Sequence, residues 1–113
     1  MALNDAALVL AANAVDGAIT HMQAHSADPG SDGAGSEIGS RTAVNGTVDA
    51  DGDISWSVSF TGLGASATFW GVSYWSASSG GTCYGTLART TGDAAANAAG
   101  EYDFTGTETS SAS

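Results

Sequence analysis

The chain reads as a mainly β protein, an antiparallel β-sandwich of immunoglobulin-like or jelly-roll-like kind with one N-terminal α-helix. Three observations predict this. Ile54, Trp56, Val58 and Phe60 alternate strictly with Ser55, Ser57 and Ser59, the period of a strand with one buried face. Further short apolar runs at 41–48, 67–75, 82–87 and 101–109 are separated by Gly, Ser, Asp and Asn clusters, the spacing of a sandwich or barrel. Only the first residues, rich in Ala and Leu, have the composition of a helix. A chain of 113 residues is one domain. The helix takes residues 1–17 and the sandwich 18–113, with a Gly/Ser/Asp loop at 26–40.

The helix runs from Asn4 to about Val15. Asn4 or Asp5 can cap it, and Gly17 is the expected stop. Leu3, Leu8, Val9, Leu10 and Val15 cover more of its circumference than one sheet face can bury, so a second neighbour is expected. From Ala18 to His25 the helical period fades and strand readings compete. Ser26 to Ser36 is a loop by its turn chemistry and holds the single proline, Pro29. Arg41 to Val48 is a candidate strand, and Asp51-Gly52 marks the hairpin leading into the Ile54–Phe60 alternation. The segments 67–75 and 82–87 are joined by a Ser/Gly turn at 78–81. Tyr102 and Phe104 alternate in the closing strand.

Twelve acidic residues against Arg41 and Arg89, with no lysine, give a net charge of −10. Such a surface repels phosphate backbones and anionic lipid, so neither nucleic acid nor membrane is an expected partner. The apolar share is 42%, much of it alanine, so the nine aromatic residues must carry much of the core. Cys83 stands alone and reads as a small buried hydrophobe. The N-terminal stretch lacks the basic region of a signal peptide, and the apolar stretches are too short to span a membrane.

No constellation argues for catalysis, a cofactor or a resident metal. His21 and His25 share the spacing of a zinc-binding pair, but Met22 stands where the zincin pattern has Glu, and no third ligand is near except Asp28. Structural histidines are expected. Asp49, Asp51 and Asp53 superficially resemble a calcium loop, yet Gly52 and the next glutamate, Glu101, are out of position. A solvated turn is expected there, with weak calcium binding the alternative. No Gly-x-Ser-x-Gly motif accompanies the many serines. Trp70, Tyr74 and Trp75 form the densest aromatic cluster, with Trp75 on the opposite strand face from the other two. Core packing of two of the three is the preferred expectation, and at least one face there is a candidate interface.

The segment Ala24-His25-Ser26-Ala27-Asp28-Pro29-Gly30, coming after an Ala-rich helix, resembles a motif of short phage virion proteins. These are tail-fibre-like or minor structural proteins, including capsid decoration proteins. Their Leu-His-Thr-Ala-Asp-Pro-Gly strand and loop leads into a Gly-rich stretch with a glutamate, a glycine and an arginine. Glu37, Gly39 and Arg41 take those places here. Phe69 through Thr82 resembles the family's Gly-x-Trp-Ser-Ala-x-x-Gly-Gly segment, and Ala99 through Ser113 its closing strand. Ala24 departs from the family's leucine, and the short glycine-to-arginine spacing lacks its usual tyrosine.

The resemblance implies a β-sandwich, a place in the virion after synthesis in the host cytoplasm, and no catalysis. The leading expectation is a capsid decoration or minor capsid protein that binds the outside of the shell, with the major capsid protein as partner. A minor tail component is the nearest rival, and a carbohydrate-binding module using Trp70, Tyr74 or Trp75 a more distant one. In the strand–loop motif His25, Asp28, Pro29 and Gly30 have structural roles: Asp28 caps the turn that Pro29-Gly30 imposes, and His25 can bond into the loop. The surplus apolar helix surface predicts a homo-oligomer, a trimer, with contacts at Leu3, Leu8, Val9, Leu10 and Val15.

Overall fold

The computed structural model describes residues 4–90 and 93–109. Helix α1 (Asp5–Ala18) precedes seven strands: β1 (His21–His25), β2 (Glu37–Ala43), β3 (Thr47–Val48), β4 (Ile54–Phe60), β5 (Gly71–Trp75), β6 (Cys83–Ala88) and β7 (Tyr102–Glu108). They form two antiparallel sheets, ordered β2-β1-β5-β6 and β3-β4-β7. This is the sandwich with one N-terminal helix that the sequence predicts. The sheets divide four and three, as in an immunoglobulin constant domain. Here the central pair β1–β5 joins the first strands of two hairpins.

The Asn4 side chain accepts from Ala7 N at 3.0 Å and caps α1. The helix does not stop at Gly17. It continues to Ala18 and ends where Ile19 turns extended, burying its side chain in the core while its N–H still bonds Val15 O. Gly17 lies within the helix with open space around it.

The expected strand at 41–48 is two strands in different sheets. β2 ends at Ala43, and the chain crosses through Val44-Asn45-Gly46 to β3. Val44 N bonds Thr20 O, and Gly46 N bonds the Asp16 carboxylate of the helix. The expected loop to residue 40 ends at Ser36, because Glu37 already pairs with His25. Residues 67–70 lie outside β5, with only an isolated bridge between Thr68 and Ala95.

β4 buries Ile54, Trp56, Val58 and Phe60 and exposes the serines between them, as its alternation predicts. Across the core, Trp56 stacks on Tyr74 at 5.0 Å and Phe69 on Tyr102 at 3.9 Å. Met22, Ala24 and Val72 are fully buried on the inner face of the larger sheet. The turn before β4 bonds as a hairpin, with Gly52 N on Asp49 O and Asp49 N on Asp53 O. Gly52 sits at φ +84, and a Cβ there would fall within 2.9 Å of Leu8 backbone and side-chain atoms, so the turn and α1 are in direct contact.

Candidate functional site

Two features stand out: a sealed polar cluster on the outer face of the larger sheet, and an open apolar groove beside α1. The cluster explains why β5 is buried on both faces, an unusual pattern for an antiparallel strand. Its inner residues Val72 and Tyr74 face the other sheet. Its outer residues Ser73 and Trp75 lie under the loop 26–36. The turn that folds the loop back forms at Asp28-Pro29-Gly30, where Asp28 Oδ1 accepts from Gly30 N and Gly30 has φ +82. At Gly33 (φ +68) an added Cβ would lie 2.5 Å from Cys83 Sγ and 3.2 Å from Ser73 Cβ, so the loop backbone rests directly on the sheet.

The hydrogen bonds beneath the loop admit one consistent proton arrangement. Trp75 Nε1–H donates to Ser73 Oγ at 2.7 Å. That leaves the Ser73 hydroxyl hydrogen for His25 Nε2 at 2.7 Å, and His25 Nδ1–H for Gly35 O at 2.7 Å. A neutral ring in this arrangement carries its proton on Nδ1. Burial holds the His25 pKa below its ordinary value of 6.5, against the opposing pull of the Gly35 carbonyl, the Glu37 charge and Ser36. Beside it, Gly39, Ser40 and Arg41 bulge opposite Gln23. The buried Gln23 amide fills the bulge by donating to the Ile38 and Gly39 carbonyls. Arg41 then reaches over the Trp75 ring at 3.7 Å and donates to Ala77 O and Gly80 O. His25, Asp28, Pro29, Gly30, Gly39 and Arg41 thus form one latch. His25 has both nitrogens engaged, so no ring lone pair is left for a metal.

The groove has a volume of about 310 Å³ and runs between α1 and the facing edges of β6 and β7. Ala11, Val15 and Ile19 form one wall, Tyr84 the other, and the stacked Trp56 and Tyr74 the floor. A second hollow joins Ala14, Val15 and Ala18 to Tyr84. Tyr84 is there because β6 bulges: Gly85 pairs with Tyr74 and Cys83 with Trp75, leaving Tyr84 opposite no residue. Gly85 takes φ +150, and the Tyr84 side chain is 51% exposed beside the helix. Glu108 closes one end and accepts from Tyr74 Oη at 2.8 Å. Burial and that carboxylate push the Tyr74 phenol pKa far up. The indole Nε1 of Trp56, beside Gly46, is buried without a hydrogen-bond partner among the described residues.

The candidate interface residues divide. Leu10 and Val15 are exposed, at 73% and 47%, and Leu8 and Val9 are half-buried. Leu3 lies outside the described residues. Tyr74 and Trp75 are buried: Tyr74 packs in the core and forms part of the groove floor, and Trp75 is roofed by the latch. Trp70 is half-buried, its backbone tied to His25 O and Arg89 N. The three aromatics therefore form no exposed platform. Sequence reasoning missed Tyr84, although Gly85 inside the strand is a local signal of such a bulge, and Ser73, whose partner lies 48 positions away.

Asp49, Asp51 and Asp53 do converge, with one carboxylate oxygen from each within 4.8 Å of the others. Asp49 Oδ1 already accepts from the backbone N–H groups of Asp51 and Asp53, which accounts for the geometry as a turn. No helix among the described residues is long and apolar enough to cross a membrane. Comparison with family models, with curated proteins and with solved structures finds no match.

Proposed function

We propose that this chain is a non-enzymatic structural protein that works by docking, and that it decorates the outside of a phage-like capsid. The observation that carries the docking reading is the apolar surface continuous from Val15 across the groove to Tyr84, with Leu10 exposed on the same helix. Exposed apolar surface of this kind marks interaction sites. The virion reading rests on the resemblance of three segments: His25–Gly30, Phe69–Thr82 and the closing strand. The latch gives the first of these a physical reason. The Ser73–His25 pair supports a non-enzymatic reading, since both residues have no exposed surface and a substrate cannot reach Ser73 Oγ past the loop. The acidic surface fits a place away from packaged genome.

The test is occupancy on particles that lack the chain. Removal of residues 1–15 and the full-length Val15→Asp variant, each checked for fold by circular dichroism, are expected to abolish binding. Full occupancy by the folded Val15→Asp variant would overturn the docking face. Copy number per particle separates shell from tail: hundreds fit decoration, whereas a few to some dozens would move the chain to a minor tail position.

A further inference from the structure

We infer that Asn45 is a site of spontaneous covalent modification, its amide converting to aspartate and isoaspartate, and that Asp16 of α1 sets the rate. The inference stands apart from the docking reading. In this chemistry the backbone nitrogen of the next residue gives up its proton and its electron pair bonds to the asparagine Cγ. The side-chain nitrogen leaves as ammonia. Water then opens the resulting cyclic imide at either carbonyl. One opening gives aspartate, and the other gives isoaspartate, whose main chain runs through Cγ and is longer by one carbon. Water is consumed, ammonia is released, and nothing is oxidised or reduced. Of the four asparagines, Asn45 alone precedes a glycine, which has no side chain to hinder the attack. Asn4 is engaged as the helix cap, and Asn97 Oδ1 accepts from Ala99 N and Glu101 N. Asn13 lies inside α1, where the next nitrogen belongs to the helical ladder. Asn45 lies in the crossing from β2 to β3, exposed, and its side chain has no hydrogen-bond partner among the described residues.

The attacking nitrogen is held back. Gly46 N–H donates to Asp16 Oδ1 at 2.9 Å. That bond must break before Gly46 N can turn toward Asn45 Cγ, and the carboxylate charge opposes loss of the amide proton. On the other side of Asn45, Val44 is buried and its N–H is tied to Thr20 O. Modification therefore waits on a local release of the crossing from the helix. The isoaspartyl product does not fit where Gly46 sits. An added Cβ there would fall 2.5 Å from Asp16 Oδ1, 2.7 Å from Trp56 Nε1 and 2.8 Å from Ile54 Cγ2. A lengthened main chain has to shift Gly46 out of this cradle, and the tie to α1 goes with it.

The test is incubation of the full chain at mildly alkaline pH, folded or in guanidinium chloride, followed by peptide mapping that separates isoaspartate from aspartate. In the folded chain Asn45 is expected to convert, with isoaspartate among its products, while Asn4, Asn13 and Asn97 stay intact. Unfolding should speed conversion at Asn45 about tenfold or more, and the folded Asp16→Ala variant should convert about tenfold faster than the parent. Asn45→Gln, whose longer side chain disfavours the ring, should remove the product. Chain enriched in isoaspartate should melt below Asn45→Asp, which carries the added charge on an unlengthened backbone. Earlier conversion at another asparagine, or equal rates in the parent and folded Asp16→Ala, overturns the inference. Where Asp16→Ala does not fold, equal rates in the folded and unfolded parent overturn it instead. So does isoaspartyl chain that melts together with Asn45→Asp.

Discussion

Removing the Ser73 hydroxyl takes away two hydrogen bonds at once, leaving Trp75 Nε1–H and His25 Nε2 unpaired beneath the loop. Ser73→Ala is expected to cost about 1–3 kcal/mol in urea unfolding, and an unchanged midpoint would contradict the cluster. His25 adds a pH dependence. Its folded pKa lies below the unfolded value of 6.5, so below about pH 6.5 the unfolded chain gains a proton that the folded chain resists. Stability from this group is complete above that pH and is lost as pH falls toward the folded pKa. His25→Gln should flatten the stability curve between pH 5 and 7, and a curve parallel to the parent would contradict the assignment. In the core, Phe60→Ala should cost about 3–5 kcal/mol, read as a lowered melting temperature. Phe60 was legible because alternation reports burial directly. Trp75 was not: alternation assigns it to the outer face, but says nothing of a loop returning to cover that face.

Elements were legible where turn chemistry and period agreed. The Asp51-Gly52 turn, the 26–36 loop and β7 fall where their residues predict. The β2–β3 break did not announce itself, because the run from Arg41 to Val48 stays compatible with a strand. Its cause is tertiary: Asp16 of the helix captures Gly46 N, and Thr20 O captures Val44 N. Gly17 misled for a related reason, since burial of Ile19 sets where the helix ends. The contact between α1 and the β3–β4 turn gives a prediction at this scale. Gly52→Ala meets both a positive φ and the Leu8 backbone, and should destabilise by about 1–3 kcal/mol. Amide exchange in α1 should accelerate in that variant. Exchange unchanged along the helix would show that the turn does not support it.

For the whole molecule, the surplus of apolar helix surface was visible in the sequence, and the structure shows where it goes. Ala12 and Ile19 enter the core, whereas Leu10 and Val15 remain outside. What was hidden is that the β6 bulge turns Tyr84 toward Val15, across the groove from the helix. The central claim is that this face is the one the protein uses. The most direct measurement is oxidative footprinting of the chain free and assembled on its particle. Tyr84 and Val15 should lose reactivity on assembly, while the exposed residues of the 26–36 loop and the Ser/Thr face of β4 and β7 keep theirs. Unchanged reactivity at Tyr84 and Val15, with protection on the β4–β7 hydroxyl face, would contradict the account.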